Sequence, residues 1–174
     1  MTDDRVPGEL APDADIEALR REIEEIKRRV FTLGTPVRKV SGGPSAFMVM
    51  PFGPEDLQIV YEDFIKPAIE DRCGLDCIRG DDMFGSNAIM EDVVKSIRAA
   101  RMMVADLTGQ NANVFYEVGI AHAIDIPVLL ITQSLDDVPF DLRHRRMLVY
   151  EYSPRGCKRL ESQLEEHVKQ MLVQ

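Results

Sequence analysis

Short apolar segments alternate with amphipathic segments along most of this chain, and that alternation constrains the fold more than any other feature. The apolar segments are continuous, which is typical of strands that are buried on both faces of a parallel sheet. The segments between them carry apolar residues at helical spacing. We therefore expect an α/β fold in which helices cover both faces of a parallel sheet.

The pattern contains five predicted strands and four predicted helices in this region. Five strands in this arrangement favour the flavodoxin-like order 2-1-3-4-5. The predicted strands span residues 46–51, 75–79, 102–107, 127–132 and 147–151. The predicted helices span residues 54–73, 86–100, 114–124 and 154–172.

The first 45 residues have a different character. Residues 1–12 are polar and contain Pro and Gly, which predicts a disordered tail. Residues 13–34 carry a heptad seam that predicts a coiled-coil helix. The seam consists of Ile16, Leu19, Ile23, Ile26, Val30 and Leu33. Residues 35–45 form a linker with a Ser/Gly/Pro stretch, and residues 46–174 form the α/β domain.

The predicted coiled-coil helix needs a packing partner. A helix of about twenty residues is marginally stable on its own in water. It packs either on its own domain or on the same helix of a second copy. The narrow seam favours the second arrangement, and we expect a homo-oligomer.

The bulk composition excludes several functional classes. The net charge of −9 gives no overall attraction for nucleic acid. The three cysteines match neither a disulfide framework nor a metal-binding spacing. No apolar run approaches the length of a membrane span. We expect a soluble cytoplasmic protein with no metal, no cofactor, and no nucleic-acid or membrane partner.

Residues 105–123 carry the strongest functional signal. They are predicted to form the end of a buried strand, a polar turn and a helix with Glu117 in its second turn. Ligands of open α/β sheets bind at the carboxyl ends of the strands. The helical wheel places Glu117 beside the apolar stripe of Val114, Val118, Ala121 and Ile124, so we expect a partly buried carboxylate. The alternative is an acidic residue that only stabilises the helix dipole.

Two other turns follow predicted strands at the same sheet edge. Phe52 and Gly53 lie after the first strand, where backbone amides can hold an anion. Phe52 either stacks on a nucleobase or belongs to the core. Arg79 and Asp81 follow the second strand, where Arg79 pairs with a phosphate or holds an aspartate. The alternative for this turn is a local ion pair.

Residues 139–146 include a basic run before the fifth strand. This run either binds phosphate or forms a solvated cationic patch on an acidic chain, and we favour the patch. His122 lies on the helix that carries Glu117, near its buried side. We interpret it as a core or supporting histidine.

The sequence from Asp106 to Ala121, with Asn111, Asn113 and Glu117 at fixed spacing, resembles the nucleoside 2-deoxyribosyltransferase-like superfamily. That superfamily includes the deoxynucleoside-monophosphate N-glycosidases. The resemblance spans residues 46–152. It implies that Glu117 is the nucleophile that attacks the anomeric carbon of a sugar. TIR-like NAD-cleaving domains share this type of sheet and a glutamate that acts on an N-glycosidic bond.

A second acid is needed to assist departure of the base. The candidates are Asp81, Asp82, Glu91 and Asp92, with solvated positions as the alternative for the two helical residues. In the deoxyribosyltransferases an aspartate near the position of Asp92 contacts the base. We take Glu117, Asp92 and Asp82 as the predicted catalytic residues.

The remaining predicted site residues are assigned to substrate binding. One of them, Asn111, departs from the family pattern, because deoxyribosyltransferases often place an aspartate there. An amide hydrogen-bonds a sugar hydroxyl but cannot act as an acid or base. The predicted substrate-binding residues are Phe52, Gly53, Arg79, Asp81, Glu91, Asp106, Asn111 and Asn113.

These observations lead to two functional hypotheses. The first is an enzyme that cleaves or transfers an N-glycosidic bond of a nucleoside, nucleotide or NAD-like substrate through a carboxylate nucleophile. The alternative is a non-catalytic nucleotide-binding signalling or sensor module of the TIR-like type.

Overall fold

The computed structural model of the protein describes residues 43–80 and 90–173. A five-stranded parallel sheet has the strand order β2-β1-β3-β4-β5, which confirms the predicted flavodoxin-like topology. The predicted tail, the coiled-coil helix and residues 35–42 of the linker lie outside the described residues. Ser45, which we assigned to the linker, is the first residue of β1.

Strands and helices follow one another in the predicted order. The strands are β1 (Ser45–Val49), β2 (Asp76–Arg79), β3 (Met102–Asp106), β4 (Val128–Thr132) and β5 (Met147–Val149). The helices are α1 (Glu55–Val60), α2 (Met90–Ala99), α3 (Ala112–Ala123) and α4 (Pro154–Leu172). Two 3₁₀ turns, Leu135–Asp137 and Phe140–Leu142, lie between β4 and β5.

Apolar side chains cover both faces of the sheet, because successive residues of a strand point to opposite faces. On one face, Met48 and Val104 belong to a core that includes residues of α1 and α4. On the other face, Phe47 and Met103 belong to a core that includes residues of α2 and α3. This two-sided burial explains why β1 and β3 read as continuous apolar runs.

The first helix is less regular than its sequence predicts. After α1 the chain continues through two π-helical segments, Tyr61–Ile65 and Ala68–Arg72, on either side of Pro67. Proline lacks an N–H group, and its ring collides with the carbonyl four residues earlier in a regular α-helix. Wider turns relieve that collision, so the helix continues past Pro67 to the predicted end near Cys73.

In the described part of the chain, no helix is long and apolar enough to cross a membrane. The carboxyl ends of all five strands lie at one edge of the sheet, because the strands are parallel. The segments that leave this edge contain Phe52, Gly80, Asn111, Gln133 and Tyr150. This edge is the expected place for a ligand site.

Gly156 allows the start of α4 to pack against the preceding turn. A Cβ atom at this position would lie 2.1 Å from the backbone carbonyl oxygen of Glu151. We expect Gly156→Ala to destabilise the protein by about 1–3 kcal/mol, the usual range for overpacking. Thermal and urea unfolding measure the change.

Gly119→Ala is the matched control, because Gly119 lies inside α3 with no atom near the position of an added Cβ. We expect this variant to gain up to about 1 kcal/mol from helix propensity. Equal effects of the two substitutions would contradict the packing argument.

Candidate active site

Glu117 lies on α3 in the position that the helical wheel predicts. Val114, Val118 and Ala121 are buried in the core between α3 and the sheet, and Glu117 is half-buried beside them. Among the residues that the structure describes, none donates a hydrogen bond to Glu117 or forms an ion pair with it. Half-buried carboxylates are normally paired, since desolvation penalises the charged form.

Burial raises the pKa of the Glu117 carboxyl group from its usual 4.5 to about 7. The helix begins at Ala112, so Glu117 lies in its second turn. The helix dipole acts most strongly on the first turn and therefore does little to keep Glu117 ionised. The carboxyl group is therefore poised between its two protonation states near neutral pH.

Asn111 is the residue that caps α3. Its side-chain oxygen accepts hydrogen bonds from the backbone N–H groups of Asn113 at 2.9 Å and Val114 at 3.4 Å. The helix therefore begins at Ala112, two residues earlier than predicted. The oxygen of the Asn111 side chain is engaged by the helix, and its amide NH₂ can still donate to a ligand.

Asp106 ends β3 and is 1% exposed. Its carboxylate accepts hydrogen bonds from the Thr108 hydroxyl at 2.5 Å, the Thr108 backbone N–H at 3.0 Å and the Tyr150 hydroxyl at 2.6 Å. Burial raises the pKa of Asp106, and these donors oppose the rise. The carboxylate is directed into the protein, so its predicted contact with substrate stays a prediction.

Thr108, Gln133 and Tyr150 belong to this network and were not among the predicted site residues. Tyr150 follows β5, and burial together with the Asp106 charge raises the pKa of its hydroxyl. Gln133 follows β4, and its side-chain amide donates to Tyr150 at 3.4 Å and to Asp56 at 3.3 Å. All three follow strand ends at the carboxyl edge, so the topology rule that selected Asp106 could have found them.

Arg79 lies at the end of β2 and is 6% exposed. Its guanidinium lies over the ring of Tyr61, 4.5 Å from the centroid, and 6.0 Å from the centroid of Phe52. It also donates a 2.7 Å hydrogen bond to the side-chain oxygen of Gln58. These contacts fix Arg79 within the protein rather than in an open polar turn.

Phe52 is 60% exposed, which contradicts the interpretation that it belongs to the core. The neighbouring Gly53 has a φ of +108°, a conformation that favours glycine. The turn after β1 therefore presents an aromatic ring next to a buried guanidinium.

The candidates for the second acid are only partly described. Asp81 and Asp82 lie outside the described residues, and Glu91 is described only as a member of α2. Asp92, also on α2, pairs with Lys95 at 3.1 Å. None of the hydrogen bonds found in the described residues joins Glu117 to another predicted site residue.

The cysteines Cys73, Cys77 and Cys157 are free thiols. No group of three potential metal ligands occurs within residues 43–80 and 90–173. The described site therefore consists of carboxyl, amide, hydroxyl, guanidinium and aromatic groups.

Comparisons with known proteins found similarity only at the level of structure. No family model and no curated protein matches the sequence. One similar solved structure is a 2-deoxyribosyltransferase from Leishmania mexicana, with a TM-score of 0.45 and 17% identity over 53% of this chain and 66% of that one. Another is a 2-deoxyribosyltransferase from Bacillus psychrosaccharolyticus, with a TM-score of 0.47 and 12% identity over 69% of this chain and 95% of that one.

Proposed function

We propose that this protein cleaves the N-glycosidic bond of a nucleoside or nucleotide with Glu117 as the nucleophile. The observation that carries the proposal is the unpaired state of Glu117 in the described structure. Its half-buried carboxyl group has a raised pKa and no described partner, at the edge of the sheet where ligands bind. Such an arrangement destabilises the fold, which makes it a candidate for function.

The chemistry fits a carboxylate at this place. One Glu117 oxygen attacks the anomeric carbon and forms a glycosyl ester, while the bond between that carbon and the base nitrogen breaks. The base leaves with the electron pair and receives a proton from a second acid. Water or another base then attacks the anomeric carbon and releases the carboxylate.

The other predicted residues surround this step in our proposal. The Asn111 amide donates a hydrogen bond to a sugar hydroxyl, and the exposed Phe52 ring stacks on the base. The second acid is one of Asp81, Asp82, Glu91 and Asp92. Asp106 acts as a positioning residue, because its hydrogen bonds order the turn that leads to Asn111.

Substitution of Glu117 tests the assignment. Glu117→Gln keeps the shape of the side chain but removes the charge that an oxocarbenium-like state requires. We expect turnover to fall by about 100-fold or more, the usual effect of losing one preorganised charge. Chromatography of released base measures turnover with 2′-deoxynucleosides, ribonucleosides, their monophosphates and NAD, each with and without a second free base as acceptor.

Asp71→Asn is the matched control, because Asp71 is exposed in the π-helical segment before Cys73. It removes one carboxylate and should leave turnover unchanged. If the Glu117→Gln variant turned over substrate as fast as the wild type, Glu117 would have no role as the nucleophile.

The pH dependence of activity reports the role of Glu117. A nucleophile must be ionised, and burial raises the pKa of this carboxyl group to about 7. We therefore expect kcat/KM to rise about tenfold per pH unit below 7 and to level off above it. A profile that falls as pH passes through 7 would instead make Glu117 the proton donor and overturn its role as nucleophile.

The same pKa makes a prediction for stability. The folded state binds the Glu117 proton more tightly than the unfolded chain, so ionisation destabilises the fold as pH rises from about 4.5 to about 7. Glu117→Gln carries no charge at any pH. We expect this variant to be about 1–2 kcal/mol more stable than the wild type at pH 8, allowing for solvent screening.

The stability difference between the two proteins should shrink toward pH 4, because Glu117 is then protonated and uncharged in the wild type. The other carboxyl groups titrate alike in both proteins and cancel in the comparison. Urea unfolding at the two pH values measures it. A difference that is the same at both pH values would show that burial does not perturb Glu117.

A nucleotide-binding module without turnover is the second candidate. The described structure favours it in one respect, because Asp92 is paired with Lys95. Release of no base from any of these substrates, together with measurable binding of one of them by calorimetry, would support the module and refute the enzyme.

A further inference from the structure

A cavity of about 530 Å³ opens at the edge of the sheet opposite to the carboxyl ends of the strands. It lies at the amino ends of β4 and β5, whereas Glu117 follows the carboxyl end of β3. Its walls come from the end of α3, the start of β4, the segment before β5 and the last turns of α4. The lining residues are His122, Asp125, Ile126, Pro127, Val128, Leu129, Leu130, Arg145, Arg146, His167, Gln170 and Met171.

The polar part of this cavity is cationic. Arg145 and Arg146 line it, and among the described residues neither guanidinium forms an ion pair or hydrogen bond. Asp125 is the single carboxylate in the lining, and no ion pair joins it to either arginine in the described structure. On a chain with a net charge of −9, two unpaired guanidiniums at one cavity form a local site for an anion.

The two histidines of the lining complete this polar part. Burial lowers the pKa of His122, and the positive charge of Arg145 lowers it further. His122 is therefore neutral at neutral pH and offers one N–H donor. The Nδ1 atom of His167 lies 2.8 Å from the carbonyl oxygen of Gln163, which leaves Nε2 as its other polar atom.

The cations are not engaged by the end of α3. Helix C-termini attract positive charge through their last carbonyl groups. Here the carbonyls of Ile120 and His122 accept backbone N–H bonds from Ile124 and Asp125. The guanidiniums of Arg145 and Arg146 are therefore available to a ligand.

Apart from Gln170, the rest of the lining is apolar. Ile126, Pro127, Val128 and Met171 contribute hydrophobic surface beside the cations. The volume lies within the range of about 300–1,000 Å³ that is usual for small-molecule sites. An anion alone would use only the polar part, so the combination fits a ligand with an anionic group and an apolar body.

We propose that this cavity binds a small organic phosphate, with the phosphate on Arg145 and Arg146 and the organic body on the apolar lining. Arginine guanidinium groups match phosphate oxygens through paired hydrogen bonds. The proposal gives the basic run before β5 a ligand, where the sequence favoured a solvated patch. It is independent of the reaction proposed for Glu117.

Phenyl phosphate is the probe ligand. Inorganic phosphate and phenol, which represent its two parts, are measured separately for comparison. Calorimetry with the full chain measures the affinities, and NMR of the histidine rings locates the ligand. We expect phenyl phosphate to bind more tightly than either part and to shift the resonances of His122 and His167. Absence of binding, or binding without these shifts, would overturn the proposal.

Arg145→Gln/Arg146→Gln should weaken phenyl phosphate binding about tenfold or more, the loss expected for one charge-assisted hydrogen bond. Arg155→Gln/Arg159→Gln is the matched control, since these exposed arginines lie toward the other end of α4 and carry the same charge. Unchanged affinity in the first variant, or equal loss in both, would refute the site. Equal affinity for inorganic phosphate and phenyl phosphate would refute the proposed contact between the organic body of the ligand and the apolar lining.

Discussion

The buried carboxylate of Asp106 links the segments that leave the carboxyl edge of the sheet. A carboxylate that is 1% exposed must be satisfied by hydrogen bonds, and its donors come from two different segments of the chain. Thr108 belongs to the turn after β3, and Tyr150 follows β5. The Thr108 hydroxyl also accepts the backbone N–H of Gln133, so the segment after β4 is tied to the same point.

This constraint explains how the start of α3 is positioned. Asp106 fixes the turn at Thr108, and Gly109 in that turn has a φ of +76° and donates its N–H to Asp137. The chain then reaches Asn111, which caps the helix. Each step is a local hydrogen bond, and together they place the second turn of α3, with Glu117, beside the edge of the sheet. Loss of the Asp106 network would therefore disturb the position of Glu117 without any direct contact between the two.

The sequence predicted the sheet well because strand burial and helix amphipathicity are both encoded locally. The alternation of apolar and amphipathic segments was enough to predict the strand order. The helical wheel was enough to predict that Glu117 is partly buried. The raised pKa was not predictable, because it depends on how much solvent the packed neighbours of Glu117 exclude. The start of α3 was predicted two residues too late for a related reason. Asn111 and Asn113 are both favourable capping residues, and the turn after Asp106 decides between them.

The contacts of Arg79 were also not predictable from the sequence. Its place after β2 predicted the correct sheet edge, but an arginine at that edge can face either solvent or the protein. The rings of Tyr61 and Phe52 come from elements that are distant in sequence, and they decide the outcome. Sequence patterns thus predict which strand end a residue occupies, whereas its partners depend on tertiary packing.

Helix α3 connects the two sites that we propose. Glu117 lies in its second turn and His122 in its last, which corresponds to a rise of about 7.5 Å along the helix axis. Val118 and Ala121 lie between these positions and are buried in the core between the helix and the sheet, as is Val114 before them. A ligand in the cationic cavity would contact the same rigid element that carries the proposed nucleophile. Because no described residue donates a hydrogen bond to Glu117, the position of its carboxyl group depends on the packing of α3 against the sheet.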